Sequence, residues 1–147
     1  MNDFLTSEQR HEKYTDSHKK NTSTVIMVVE NDPDTLLLIS ELLKGLGYEV
    51  IEAGNGREAL EKITRSNPAI VFMDIDMPVL NGYDATLALR KMEKPFCNIP
   101  VIAVTAHSTN EELKMYSDAG INQVIAKPFR LAEIELKLKQ QLQLQAF

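Results

Sequence analysis

The sequence predicts an α/β domain built on a parallel β-sheet. Three observations carry this. Five short runs, VIMVV (25–29), YEVIEA (48–53), AIVFM (69–73), PVIAV (100–104) and NQVIA (122–126), alternate with five segments of helical periodicity. The first, third and fourth runs are continuously apolar, as strands covered on both faces require. Four of the runs end on polar residues, in order Glu30-Asn31, Asp74, Thr105 and Lys127. In an open parallel sheet the pocket lies off the carboxyl ends of the strands, so residues far apart in sequence can meet there.

Residues 1–23 mix acids and bases with almost no apolar periodicity and read as a flexible polar leader. His11 and His18 lack metal-ligand spacing and read as solvated. After VIMVV, Asp32-Pro33-Asp34 opens a helix, with Asp32 placed to cap it and Pro33 suited to its first position. That helix offers Leu36, Leu37, Ile39, Leu42, Leu43 and Leu46 to the core, any surplus exposed leucine marking a partner groove. Gly45 and Gly47 stop it. YEVIEA is a short second strand. Asn55-Gly56 turns into REALEKI (57–63), whose Ala59, Leu60 and Ile63 share one helical face, and Asn67-Pro68 ends the unit. AIVFM leads through the loop DIDMPVLNG into a third helix, Tyr83 to Met92, with Ala85, Leu89 and Met92 inward. PVIAVT precedes the polar AHSTNEELKMYSDAG, a fourth helix ended by Gly120. NQVIA and Lys127-Pro128-Phe129 precede the last helix, Arg130 to Leu142, expected to bury Leu131, Ile134 and Leu138. Residues 24–142 form one domain and 143–147 a short tail.

At 147 residues the chain holds one substantial core, and 44% hydrophobic with 25% charged residues is ordinary for a globular protein. The formal charge of −5 argues against a nucleic-acid surface. No apolar stretch approaches the ~20 residues of a membrane span, and the amino terminus lacks a signal peptide's apolar core. The single Cys97 forms no internal disulfide, reads as a small loop residue and suits a reducing compartment. A cytoplasmic location is expected. The length leaves no room for a DNA-binding or catalytic output domain.

Asp74 is the central residue. Ending a buried strand inside DIDMP, its carboxylate is presented at the pocket and can act as a nucleophile towards phosphorus, giving an acyl phosphate. Glu30 beside it would repel it by about 4 kcal/mol for unit charges ~4 Å apart at an intermediate dielectric. A bound cation relieves that repulsion, and oxygen ligands point to magnesium, with manganese possible, rather than zinc. The Thr105 hydroxyl and Lys127 ammonium, facing the carboxylate, suit capture of a phosphoryl group.

These residues resemble the receiver domain of two-component response regulators, over roughly residues 24–142. MVVEND (27–32) is similar to that family's acidic motif, VFMDIDMPVLNG (71–82) to its phosphoacceptor motif, VIAVTAHS (101–108) to its threonine motif and IAKPF (125–129) to its lysine motif. All four stand in the family's order, each after a predicted strand. MDIDMPVLNGYDATLALR (73–90) looks especially like receivers attached to hybrid sensor kinases. The resemblance implies a flavodoxin-like (βα)5 fold, a doubly wound five-stranded parallel sheet in the order 2-1-3-4-5. It implies that Asp74 accepts phosphate from a phosphohistidine on a histidine kinase or histidine phosphotransfer protein. Asp74, Asn31 and the backbone carbonyl of Asp76 would bind magnesium directly, with Glu30 acting through water. Thr105 would swing to the phosphoryl group, Lys127 would contact it, and Ala106 would leave room for the donor. Pro128 would follow a cis peptide, while Asp76 and His107 would tune dephosphorylation. The domain would catalyse only its own phosphotransfer and dephosphorylation. Its output would be a changed contact with a downstream protein target at the last two helices and strand five, as a monomer or a phosphorylation-dependent dimer.

Two residues depart from the family pattern. Asn31 stands where an acid is usual; an amide lends a metal one oxygen and no charge, so weaker magnesium binding and slower phosphorylation are expected. The alternative on that ground is a pseudo-receiver that docks partners with weak or no phosphorylation. Val124 stands where an aromatic often reports movement of the threonine, which leaves residues 106–119 to carry any conformational signal. A third reading, a haloacid-dehalogenase-like phosphatase, would use Asp74-Ile75-Asp76 as its nucleophile motif. Against it stand Pro78 where that family has Thr or Val, the lack of an acidic metal motif after Lys127, and a chain too short for a cap.

Overall fold

Five strands and five helices alternate along the chain, as the patterning predicted. The structure, a computed structural model, describes residues 24–145; the expected leader lies outside the described residues. The elements are β1 (Val25–Val29), α1 (Pro33–Gly45), β2 (Glu49–Ala53), α2 (Gly56–Ser66), β3 (Ile70–Asp74) and α3 (Gly82–Arg90), followed by a 3-10 turn (Phe96–Asn98), β4 (Val101–Thr105), α4 (Asn110–Asp118), β5 (Gln123–Ala126) and α5 (Leu131–Gln145). All strand pairs are parallel, in the order β2-β1-β3-β4-β5. The order reverses between β1 and β3, and such a switch point opens a crevice at the strands' carboxyl ends.

Period-two alternation divides the strand side chains between two cores. Met27, Val29, Val71, Met73, Val101 and Ala103 pack with Ala59 and Ile63 of α2, Ala85 and Leu89 of α3 and Tyr116 of α4. On the opposite face Ile26, Val28, Ile70, Phe72, Ile102, Val104 and Ile125 pack with Ile39 and Leu43 of α1 and Ile134 and Leu138 of α5. Every residue of β3 and β4 is buried, which is why those runs carry no polar alternation. Four of the five helices begin on side-chain caps. Asp32 accepts from the Thr35 N–H at 3.1 Å, Asn55 from Glu58 at 2.9 Å and Asn81 from Asp84 at 2.8 Å; Thr109 and Glu112 form a reciprocal capping box. Each cap contributes about 1 kcal/mol and fixes where the preceding loop ends.

Some expectations need correction. Leu37 and Leu38 of α1 are 59% and 48% exposed; they lie off the stripe defined by Ile39 and Leu43, so Leu37 is not core. Leu131, expected in the core, is exposed too, and Phe129 packs against the core two residues earlier. The third helix ends at Arg90, with Met92 packed on the core beyond it. The last helix runs three residues past Leu142. Its final turns are held by polar contacts that apolar periodicity cannot reveal: Gln123 Nε2 donates to Gln141 Oε1 at 2.7 Å, and Gln145 Nε2 to the Ala69 carbonyl at 3.1 Å.

Arg90 fastens the far side of the sheet. Its guanidinium donates to the carbonyls of Gly120 (2.6 Å), Ile99 (2.7 Å) and Cys97 (3.0 Å) and to Asn122 Oδ1 (3.1 Å). Gly120 has φ +96°, and a Cβ there would meet Arg90 Nε at 2.6 Å, so both backbone conformation and close approach require glycine.

Ser40, fully buried on α1, has no hydrogen-bond partner for its hydroxyl among the described residues. Ser40→Ala removes a desolvated orphan and favours the helix, so a gain of about 1 kcal/mol is expected. A raised urea midpoint at unchanged slope checks it; a lowered midpoint would show that the hydroxyl finds a partner.

Candidate functional site

The parallel register brings four strand ends level. Val29 pairs with Met73, so Glu30 and Asp74, each one residue further on, emerge side by side. Asp74 lies beside Val104 and Thr105 beside Ala126. The Lys127 N–H then donates to the Thr105 carbonyl at 2.8 Å.

Glu30 and Asp74 are each only 3% exposed. Lys127 Nζ lies 3.1 Å from Glu30 Oε1 and 3.4 Å from Asp74 Oδ1, so one ammonium bridges two buried carboxylates. Backbone adds further donors: Glu30 Oε2 accepts from the Asp32 N–H at 3.0 Å, and Asp74 Oδ1, the oxygen that faces Lys127, accepts also from the Asp76 N–H at 3.2 Å. Burial, and then Glu30, push the Asp74 carboxyl up to about 7, with Lys127 and the Asp76 N–H opposing them. Burial works to lower the Lys127 ammonium, but the hydrogen bond to Glu30 and the two neighbouring negative charges leave it raised.

Gly82, which opens α3, holds the Asp74 backbone in place. Its N–H donates to the Ile75 carbonyl at 3.0 Å, and a Cβ at this position would collide with the Asp74 carbonyl oxygen. Between them the loop turns at Val79, whose φ of 71° and the 2.8 Å bond from Leu80 N–H to the Pro78 carbonyl make a strained γ-turn.

The other expected residues form the rim. Asn31, Asp76, Ala106 and Pro128 are exposed, and the Lys127–Pro128 peptide is cis. His107 Nε2 lies 3.0 Å from Asp76 Oδ2. Thr105 is buried, and its hydroxyl accepts from the His107 N–H at 2.9 Å, which turns it towards its own loop. Two residues that touch these loops were not singled out from sequence: Gly82, and Tyr116, whose hydroxyl donates to the His107 carbonyl at 2.8 Å. The tight DIDMPVLNG loop was the one available signal for Gly82.

Among the described residues no three acidic, imidazole or thiol side chains form a metal-holding group. Asn31 offers a neutral amide where an acid would supply a third carboxylate. The donors present are nevertheless all oxygen. Two repelling buried carboxylates, one of them raised to about 7, suit a small hard cation, with one fewer negative charge than three acids would supply.

The family model for the response regulator receiver domain matches residues 26–139. The chain belongs to this receiver-domain family. Among its relatives, hybrid signal transduction histidine kinase C of Dictyostelium discoideum is 36% identical over 121 residues, covering 79% of this chain and 10% of the relative. The transcriptional regulatory protein PrrA of Mycobacterium tuberculosis is 36% identical over 118 residues, covering 80% and 49%. The receiver domain thus spans from a tenth to about half of these relatives' lengths. A solved receiver domain of the sensor histidine kinase PA1611 from Pseudomonas aeruginosa, with magnesium coordinated in its active-site cleft, matches at TM-score 0.73 and 32% identity over 80% of this chain and 96% of that one. A CheY-like receiver from Methanospirillum hungatei matches at TM-score 0.77 and 27% identity over 84% and 96%. The sheet order read from the resemblance is the one found. Membership of the family sets the dehalogenase-like alternative aside. No helix among the described residues is long and apolar enough to cross a membrane.

Proposed function

We propose that this receiver domain takes a phosphoryl group from a phosphohistidine onto Asp74 and uses the modification to change its protein contacts. The observation that supports this best is the Lys127 ammonium shared between two buried carboxylates at the switch point of the sheet. In the transfer, an Asp74 carboxylate oxygen forms a bond to phosphorus as the phosphorus–nitrogen bond breaks and its electron pair returns to the imidazole. Lys127 is placed to neutralise charge on the phosphoryl oxygens, and the Thr105 hydroxyl to donate to one of them. Glu30, Asn31, Asp74 and the Asp76 carbonyl would hold magnesium, or manganese, which supplies charge neutralisation at the phosphoryl oxygens when bound. Ala106 leaves the approach to Asp74 open, and Asp76 with His107 stands over it as a pair that tunes dephosphorylation.

The donor is a histidine kinase or histidine phosphotransfer protein, and the output a downstream protein contact in the cytoplasm through a shifted equilibrium of two conformations. Nucleic acid and membrane insertion have no part in it. The mass of the intact chain after incubation with magnesium and acetyl phosphate tests the reading. One added phosphoryl group, absent in Asp74→Asn, is expected; an unmodified parent chain would leave the pseudo-receiver, which the missing third acid favours, as the better account.

Asn31 sets the strength of the metal site. Asn31→Asp adds a negative charge beside two others, so magnesium should bind about tenfold more tightly, which is about 1.4 kcal/mol. Titration at constant ionic strength checks it, and equal affinity in both forms would remove Asn31 from the donor set.

A further inference from the structure

The turn between β4 and α4 carries a buried contact that the phosphoacceptor chemistry leaves unused. Tyr116, 1% exposed on α4, donates its phenol O–H to the His107 carbonyl at 2.8 Å. The His107 N–H in turn donates to the Thr105 hydroxyl oxygen at 2.9 Å. Both main-chain polar groups of His107 are therefore held by side chains, one from the strand before the turn and one from the helix after it. The Thr105 hydroxyl also reaches the His107 carbonyl, at a long 3.5 Å, so the two hydroxyls are neighbours and the phenol makes the shorter bond.

Strand alternation explains the meeting. Thr105 follows Val101 and Ala103 onto the face where Tyr116 packs, whereas Asp74 follows Ile70 and Phe72 onto the other. Packing alone does not ask for a tyrosine, since phenylalanine has the same ring; the hydroxyl serves one carbonyl. Val124, on the neighbouring strand β5, packs against the same core but brings no polar group to this turn. Beside the phenol a cavity of about 260 Å³ is lined by Ile75, Asp76, Tyr83, His107, Met115 and Tyr116. It borders the turn at His107.

We propose that Tyr116 is a positioning residue for Thr105: its bond to the His107 carbonyl stabilises the resting turn, in which the Thr105 hydroxyl is held by the His107 N–H rather than offered to a phosphoryl group on Asp74. The inference rests on the reading of Asp74 as phosphoacceptor. To donate to a phosphoryl oxygen, Thr105 turns its hydroxyl off the His107 N–H and the turn re-forms into the adjoining cavity. A contact made in one of two states biases the equilibrium between them. Loss of the phenol hydroxyl therefore releases Thr105.

Beryllofluoride with magnesium serves as the probe, titrated against the parent chain, Tyr116→Phe, Thr105→Val and the double variant. Tyr116→Phe should bind it about fivefold more tightly, the shift that follows from losing one ordinary hydrogen bond from the resting state alone. In the metal-free protein, amide exchange at His107 should speed up by a similar factor. In the Thr105→Val background, Tyr116→Phe should leave beryllofluoride affinity unchanged, because there is no hydroxyl left to release. Equal affinity in Tyr116→Phe and parent, or the same gain with and without Thr105, would overturn the inference and leave the Asp74 reading standing. A parent chain that takes up no beryllofluoride would overturn both.

Discussion

At neutral pH and without divalent cations, Asp74→Asn is expected to be more stable than the parent chain by about 1–3 kcal/mol, although it removes the proposed phosphoacceptor. The reason is electrostatic. Burial first, and Glu30 next, raise the Asp74 carboxyl from 3.8 to about 7, so the folded state holds its proton more tightly than the unfolded one. Below about pH 4 both states are protonated and no penalty exists. As pH rises from about 4 to about 7 the unfolded carboxyl ionises first, and the folded state loses stability; above about 7 the penalty is complete. Asparagine carries no charge throughout, so its advantage should be full near pH 8 and fade towards pH 4. Urea unfolding in EDTA across that range measures it. An advantage independent of pH would show that the carboxylate is not under strain.

Removing the ammonium should act in the opposite direction. Lys127→Met leaves Glu30 and Asp74, both buried, without the cation that sits 3.1 Å and 3.4 Å from them. A loss of about 2–4 kcal/mol is expected near pH 8, since an uncompensated buried charge costs more than the pair contributes. The loss should shrink as pH falls and Asp74 takes up a proton, which without the opposing Lys127 charge begins above the value of about 7 that holds in the parent. Magnesium should then stabilise the variant more than it stabilises the parent, because it supplies the missing positive charge to the folded state alone. Thermal unfolding at two pH values, with and without magnesium, checks all three. A loss indifferent to both would assign Lys127 to packing of its methylene stem.

The residues at the strand ends were legible because two rules act together. A continuous apolar run marks a strand covered on both faces, and the first polar residue after it must emerge at the sheet's edge. Glu30 and Asp74 obey both, while Lys127 obeys the second alone, following the partly buried edge strand β5, and the three meet through one ammonium. Thr105 obeys them too, yet the direction of its hydroxyl depends on which face it inherits and on what waits there. Tyr116 gave no warning: AHSTNEELKMYSDAG reads as a polar helix, and only the fold shows the Tyr116 hydroxyl on a carbonyl nine residues earlier. Arg90 misleads for a related reason. A basic residue in a helix's last turn normally faces solvent and complements the helix dipole, whereas here four acceptors surround it, two from the loop that follows and two from beyond α4. Leu37 errs the other way, since a dense leucine run cannot say which members one sheet has room to cover.

The clamp made by Arg90 has a mechanical consequence for α4. It grips the Gly120 carbonyl and the Asn122 side chain, just past that helix's carboxyl end, and so acts as a fulcrum. A helix of nine residues is ~13 Å long at ~1.5 Å per residue, so a tilt of about ten degrees carries its free end roughly 2 Å. Displacement along this lever should be graded, largest at Asn110 and smallest at Asp118.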